Sequence, residues 1–224
     1  MSQKKSSRLR IGTVENYRHL WLLSIWVVYL SLFFVIEHVV TEHYWVYYMP
    51  LDDKIPFCEY FIIPYCLWHP LLAVMTAYLA FYDAENFKRY MAFIGIGFIT
   101  TGIFCLLFPN GQDLRLTEFP RENLCTQFVR IIYAADTNTN VLPSMHVIGC
   151  GALIAACFHT PSLRKRHLHW VMLPLGLLIS ISTVFVKQHS ILDFIVAVPF
   201  TLLIHLLVYG VIFRKKKATP EAQQ

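Results

Sequence analysis

Six apolar runs constrain this chain more than any other feature. They cover residues 20–40, 61–82, 91–109, 146–159, 170–186 and 190–213. A helix that crosses a bilayer needs about 20 mostly apolar residues, with a range of roughly 17–25. The fourth run is short for that. Pro143 suits a first-turn position, so this helix is expected to begin near Leu142 and gain a turn. Pro64 and Pro70 predict a kinked second helix, which a membrane bundle tolerates when neighbours satisfy the freed carbonyls. Composition agrees with the runs. Hydrophobic residues make up 56% and charged residues 15%, against about 45–50% and about 25% in globular proteins. That leaves too few charges to coat a soluble surface, and it excludes a disordered chain, a collagen, a coiled coil and a typical soluble enzyme. The fold expected is all-α: a polytopic membrane bundle of six transmembrane helices.

Loop charges give an orientation. Lys4, Lys5, Arg8, Arg10 and Arg18 precede the first run, Lys88 and Arg89 follow the second, Arg164, Lys165 and Arg166 follow the fourth, and Arg214, Lys215, Lys216 and Lys217 follow the sixth. The alternate loops hold only Lys54, Arg115, Arg121, Arg130 and Lys187. The positive-inside rule then puts both termini in the cytoplasm. With no organelle address visible, the plasma membrane is the default location. Topology accounts for the net charge of +5, so no nucleic-acid partner is expected. The first run is too long for a signal-peptide core, and Glu37–His38 stands where a small-residue cleavage site would. The chain divides into a basic N-terminus (1–19), a six-helix domain (20–213) with a long outer loop (109–142), and a basic tail (214–224).

Tyr44, Trp45, Tyr47 and Tyr48 follow the first run as an interfacial aromatic belt would. In the outer loop, Leu124, Phe128, Ile131 and Ile132 fall at helical spacing. They predict a short amphipathic helix on the membrane surface, opened by Pro120. Gly111 and Asp136 to Asn140 read as turns on either side. None of the six cysteines forms a CxxC pair. Cys58 and Cys125, in or beside loops, are the pair placed for a bridge.

Two segments carry chemistry. His189 and Asp193 are four apart at the start of the sixth run, a spacing that puts both on one helix face. A carboxylate one turn inside a membrane helix is costly and needs a partner. Hydrogen-bonded to His189, it would fix the tautomer and stabilise the imidazolium. His146 lies at the outer start of the fourth run, just after Pro143 and Ser144. Two histidines, one buttressed by a carboxylate, suit a two-step transfer through a phosphohistidine, with the other histidine as general acid. The phosphoryl oxygens need positive partners, and Lys187 and Arg115 lie on the same membrane side.

Pro143-Ser144-Met145-His146 resembles the second signature, Pro-Ser-x-His, of the type 2 phosphatidic acid phosphatase superfamily. Ser182, His189 and Asp193 keep the spacing of the third, Ser-Arg-x5-His-x3-Asp, with Thr183 in place of the arginine. The first, Lys-x6-Arg-Pro, is degenerate: its best counterpart ends at Arg115-Leu116, with Phe108 in place of the lysine. The resemblance covers residues 57–213. The weakened pattern looks more like the branch related to inositol phosphorylceramide and sphingomyelin synthases, which transfer phosphoryl head groups to alcohols. The resemblance implies phosphoester chemistry that needs neither metal nor other cofactor. His189 attacks phosphorus, Asp193 orients it, and His146 protonates the leaving group. Ser144 and Arg115 hold the phosphate, with Ser182 and Lys187 as further candidate phosphate ligands.

Glu37, His38 and Glu59 sit at a depth where they could line the same pocket; pairing with loop arginines is the plainer reading. His69 and His205 lie deeper and suit helix–helix hydrogen bonding, while His167 and His169 belong to a solvated basic loop. Gly95, Gly97, Gly149 and Gly151 read as close-packing contacts. The reaction expected is hydrolysis of a lipid phosphate or diphosphate in the outer leaflet. A head-group phosphotransferase is the alternative, and a non-catalytic carrier or scaffold the rival from another class.

Overall fold

A computed structural model describes residues 14–40 and 43–214. Lys4, Lys5, Arg8, Arg10, Lys215, Lys216 and Lys217, and most of the two terminal segments, lie outside the described residues. A 3-10 stretch, Val14–Leu23, leads into α1 (Ser24–Val39). Next come β1 (Trp45–Val46), α2 (Leu51–Lys54), a 3-10 turn (Glu59–Phe61), α3 (Ile62–Tyr82) and α4 (Ala84–Leu107). Then follow β2 (Asn110–Gly111), α5 (Leu124–Ala135), α6 (Met145–His159), α7 (Pro161–Lys165), α8 (Leu168–Phe185) and α9 (Ile191–His205), which runs on as a π-helix, Leu206–Ile212. The architecture is all-α.

Among the described residues, five helices are long and apolar enough to cross a membrane: Tyr17–Val39, Glu59–Tyr82, Ala84–Leu107, Leu168–Phe185 and Ile191–Ile212. Their outward faces are apolar, with Val27, Phe34, Val74, Leu203 and Val211 exposed, as lipid-facing positions should be. The sixth apolar helix, α6, has 15 residues and reaches only about 22 Å at 1.5 Å per residue. It does not begin at Leu142. The Asn110 side chain accepts the backbone N–H groups of Val141 (3.2 Å) and Leu142 (3.0 Å), which holds that segment out of the helix. Ser144 is therefore the extended N-cap.

α6 packs against α3, α4, α8 and α9 and is the centre of the bundle. Lipid need not touch such a helix, so its shortness is tolerated. Its small residues let neighbours close in. A Cβ on Gly149 would lie 2.6 Å from the Trp68 indole nitrogen, so α3 could not approach a larger residue there. Gly97 and Gly151 are equally tight, against Ile148 and Thr201, and Gly95 contacts Ile25. Around this seam lies the main core, with Tyr90, Phe87, Phe93, Phe98 and Leu153 fully buried.

At the end of the bundle where α6 and α9 begin, three loops are tied together. β1 pairs in parallel with β2, Trp45 opposite Asn110 and Val46 opposite Gly111. Gly111 also bridges Thr139, so it is part of a ladder as well as a turn. The amphipathic helix of the long loop is α5, but Pro120 does not open it. Asn123 caps it, accepting from the Thr126 N–H at 3.0 Å while its own N–H donates to Thr126 Oγ1 at 2.9 Å. Leu124, Phe128 and Ile131 are exposed on one face and Val129 is buried on the other, consistent with a helix lying at an interface.

Glu59 anchors α5. It is fully buried and accepts a two-pronged pair from Arg121 (2.8 and 3.0 Å) and a bond from Asn123 Nδ2 at 3.0 Å. Glu59→Gln removes the charge from this junction, which should cost about 1–2 kcal/mol of local stability. Limited trypsin digestion should then cut at Arg121 roughly tenfold faster. An unchanged cutting rate would mean that the pair does not hold the loop.

Cys58 and Cys125 are free thiols. His169 is buried beside Phe158 and Trp170 rather than solvated. His205 stacks with His159 and Tyr209.

Candidate active site

The turn between α8 and α9 sets the first histidine. The backbone N–H groups of Gln188 and His189 both return to the Thr183 carbonyl, at 3.0 and 3.1 Å. Lys187 takes a left-handed conformation (φ 56°), uncommon for a residue with a side chain. Its ammonium holds the turn by donating to the carbonyls of Asp52 (2.7 Å) and Ile55 (2.6 Å). Burial pushes its pKa down. Ser190 is the N-cap of α9, and Asp193 closes a capping box with it. His189 thus lies just before the helix rather than on one of its faces. The four-residue spacing works because the carboxylate at the third helical position reaches back past the cap.

Asp193 is fully buried, and its oxygens are divided among three donors. Oδ2 faces His189 Nδ1 at 2.9 Å and accepts the Ser190 N–H at 3.0 Å. Oδ1 accepts the hydroxyl of Tyr47. With Nδ1–H donating to the carboxylate, Nε2 of His189 carries the free lone pair. Tyr47 is buried at 4% exposure. Burial first, and the Asp193 charge second, raise its phenol pKa far above the ordinary value, so it stays protonated as a donor. Tyr47 is not the interfacial residue expected from its neighbours, although Trp45 and Tyr48 are exposed. Asp52 supports the same cap, accepting from Ser190 Oγ at 2.6 Å and the Ile191 N–H at 2.8 Å.

His146 comes from the first turn of α6. Its ring centre is 5.6 Å from that of His189, and it packs against the rings of Trp68 (4.3 Å) and Tyr65 (4.6 Å). Its Nε2 is buried with no hydrogen-bond partner among the described residues, and so is Oγ of Ser144 beside it. The first-turn N–H groups of α6 have no carbonyl within the helix.

The other sequence candidates fall into two groups. Glu37 joins the histidines in one cavity of about 690 Å³ that runs between α1 and α3. Asp136, Asn140 and His69 line it too. His69, with its ring 6.3 Å from His146, is therefore nearer the site than its depth in the run suggested. The remaining candidates do not line the cavity. His38 is exposed and bonds the Phe34 carbonyl at 2.7 Å. Glu59 belongs to the α5 anchor. Ser182 Oγ donates to the Ile179 carbonyl of its own helix at 2.6 Å. Arg115 is half-buried and donates to the carbonyls of Tyr133, Asp136 and Thr137 and to Gln188 Oε1. Four of its five N–H donors are thus engaged, and Nε alone has no partner. Neither Arg115 nor Lys187 presents a free cationic face to the histidines, because protein carbonyls hold both.

Sequence reasoning missed Tyr47, Asp52, Asp136 and Asn140. Asp136 carries the clearest electrostatic mark. Burial, then the charge of Glu37, push its carboxyl up to about 6. A carboxyl whose folded pKa exceeds its unfolded value destabilises the fold when it ionises. That cost is absent below the unfolded value of 3.8, grows between 3.8 and about 6, and is complete above. Asp136→Asn should therefore stabilise the protein at pH 7.5 by about 2–3 kcal/mol, a rise of roughly 5 °C in Tm. It should give no advantage at pH 3.5. An equal gain at both pH values would show that ionisation is not the cause.

A family model described as PAP2 superfamily matches residues 111–217. Comparison with curated proteins and with solved structures finds no match. The matched span holds both histidines, Ser144 and Asp193, whereas Tyr47, Glu37 and the α1–α3 cavity walls precede it. Over residues 111–217, this helical membrane protein is similar to the PAP2 superfamily.

Proposed function

We propose that the protein is an integral membrane enzyme that hydrolyses a lipid phosphate or diphosphate through a phosphohistidine on His189. The observation that carries this reading is the relay Tyr47–Asp193–His189 with His146 beside it. Asp193 keeps the proton on Nδ1, so Nε2 attacks phosphorus. His146, held as the imidazolium by the bound phosphate anion beside it, gives its proton to the leaving oxygen. The neutral imidazole then takes a proton from water, which displaces the phosphoryl group and returns the P–N electron pair to Nε2 of His189. The phosphate is held by Ser144 Oγ and the first-turn N–H groups of α6, where the helix dipole favours an anion. Arg115 acts mainly at a distance and through Gln188, and Lys187 and Ser182 shape the turn. The cavity between α1 and α3 receives the hydrocarbon chain from the bilayer. Both termini are cytoplasmic, and the site faces the outer leaflet of the plasma membrane.

A second reading, transfer of a head group to an alcohol, draws support from the burial of the site. His146 and His189 are 9% and 7% exposed, and a transferase must keep water from its intermediate. The test is phosphate release by detergent-purified protein from phosphatidate, phosphatidylglycerol phosphate and a polyprenyl diphosphate. Hydrolysis predicts release from at least one of them. Release that requires an added alcohol, or product that contains it, would favour transfer.

A further inference from the structure

The polar end of the α1–α3 cavity has the wrong charge for a site that takes phosphate alone. Glu37 and Asp136 both line it, and no Lys or Arg does among the described residues. The two nearby cations are turned to carbonyls: Lys187 to those of Asp52 and Ile55, and Arg115 to those at the end of α5. Asn140 lies beside Glu37 and lines the same cavity. Its Nδ2 donates to Glu37 Oε1 at 3.3 Å and to Thr139 Oγ1 at 2.9 Å. That leaves its Oδ1, on a residue only 7% exposed, with no donor among the described residues. The carboxylate of Glu37 accepts the Thr137 N–H at 3.2 Å and retains further lone pairs.

We propose that Glu37, Asp136 and Asn140 form a subsite for a primary ammonium group, so that the ligand of this cavity is a phospholipid with an amine-bearing head group. Three features fit. All three residues offer acceptors, and an –NH3⁺ group brings three donors and no acceptor. Two carboxylates line a largely apolar cavity, Arg115 spends its donors on carbonyls and on Gln188 rather than on either acid, and a cation at the acids would offset their charge where a neutral hydroxyl would not. The same cavity reaches His146 and His189, so one head group can place its nitrogen at the acids and its phosphate at the histidines. The phosphate of such a lipid is a diester, so its placement at the histidines rests on the head-group-transfer reading above; the ammonium subsite does not.

The test is lipid binding by the full-length protein in detergent. A fluorescent-chain phosphatidylethanolamine is displaced by unlabelled phosphatidylethanolamine or by phosphatidylglycerol with the same acyl chains. The wild-type protein should bind phosphatidylethanolamine at least about tenfold tighter, roughly the value of one charge-assisted bond. Glu37→Gln with Asp136→Asn should erase that ratio, and His189→Ala should retain it. Equal affinity for the two lipids in the wild-type protein would overturn the subsite, as would a preference that survives the double substitution. Tighter binding of phosphatidylglycerol would point to a hydroxyl ligand and overturn it as well. A ratio retained in His189→Ala alongside no phosphoryl chemistry in any form of the protein would defeat the functional reading alone.

Discussion

Replacing His189 by Ala removes turnover of the lipid phosphate, with an expected loss of at least roughly 10⁴-fold in kcat. The size of the effect follows from the role. His189 supplies the only lone pair that Asp193 has made available, and His146 lacks a carboxylate partner to take its place. The fold should tolerate the change, because His189 precedes the cap of α9 and the capping box uses Ser190 and Asp193. His146→Ala should cost less, about 10²–10⁴-fold, since water can replace a general acid more readily than a nucleophile. The comparison is steady-state phosphate release at matched amounts of folded protein. Equal losses for the two variants would argue against the assignment of nucleophile and acid.

Asp193→Asn is the second large effect, and its size is informative. An asparagine that put its NH2 toward His189 would reverse the tautomer and leave Nε2 protonated. Here the Ser190 N–H donates to the same Oδ2 that faces His189. That donor forces the amide oxygen into the Oδ2 position and turns the NH2 toward Tyr47, whose oxygen can accept. The tautomer survives and only the charge is lost. The expected cost is about 10²–10³-fold in kcat, below the roughly 10⁴-fold seen where the tautomer flips. Tyr47→Phe in the Asp193→Asn background removes the acceptor for the NH2 but keeps the Ser190 donor, so the tautomer should survive and kcat should fall little further. A loss near 10⁴-fold in the single variant would show that the Ser190 donor does not control the amide.

Much of this was legible in the sequence, and the reasons are local. Apolar run lengths gave the spans, the Pro-Ser-x-His turn marked the start of α6, and the spacing of His189 and Asp193 is held by a capping box confined to four residues. Pairing with a loop arginine is the plainer reading of Glu59 in the sequence, and Arg121 is the arginine that supplies it. What escaped notice depends on contacts distant in sequence. Tyr47 meets Asp193 across 146 positions, through a two-residue strand pair that no pattern announces. In the sequence it is one aromatic among four at a membrane edge. Arg115 and Lys187 illustrate the converse. Their charge and side of the membrane can be read from the chain, but the carbonyls that occupy their donors cannot. Asn110 kept α6 from starting at Leu142 by taking two backbone N–H groups, a side-chain act with no signature in helix propensity. Asp136 reads as a turn residue, and only its burial near Glu37 marks it out.

The most direct test of the account is to trap the intermediate. The purified protein is mixed with a lipid phosphate labelled in its phosphoryl group and quenched in alkali within the first turnover. The account predicts protein-bound label that is stable to base, labile to acid, located on His189 and absent from His189→Ala. Phosphate release that proceeds with no label on the protein and survives His189→Ala would contradict it.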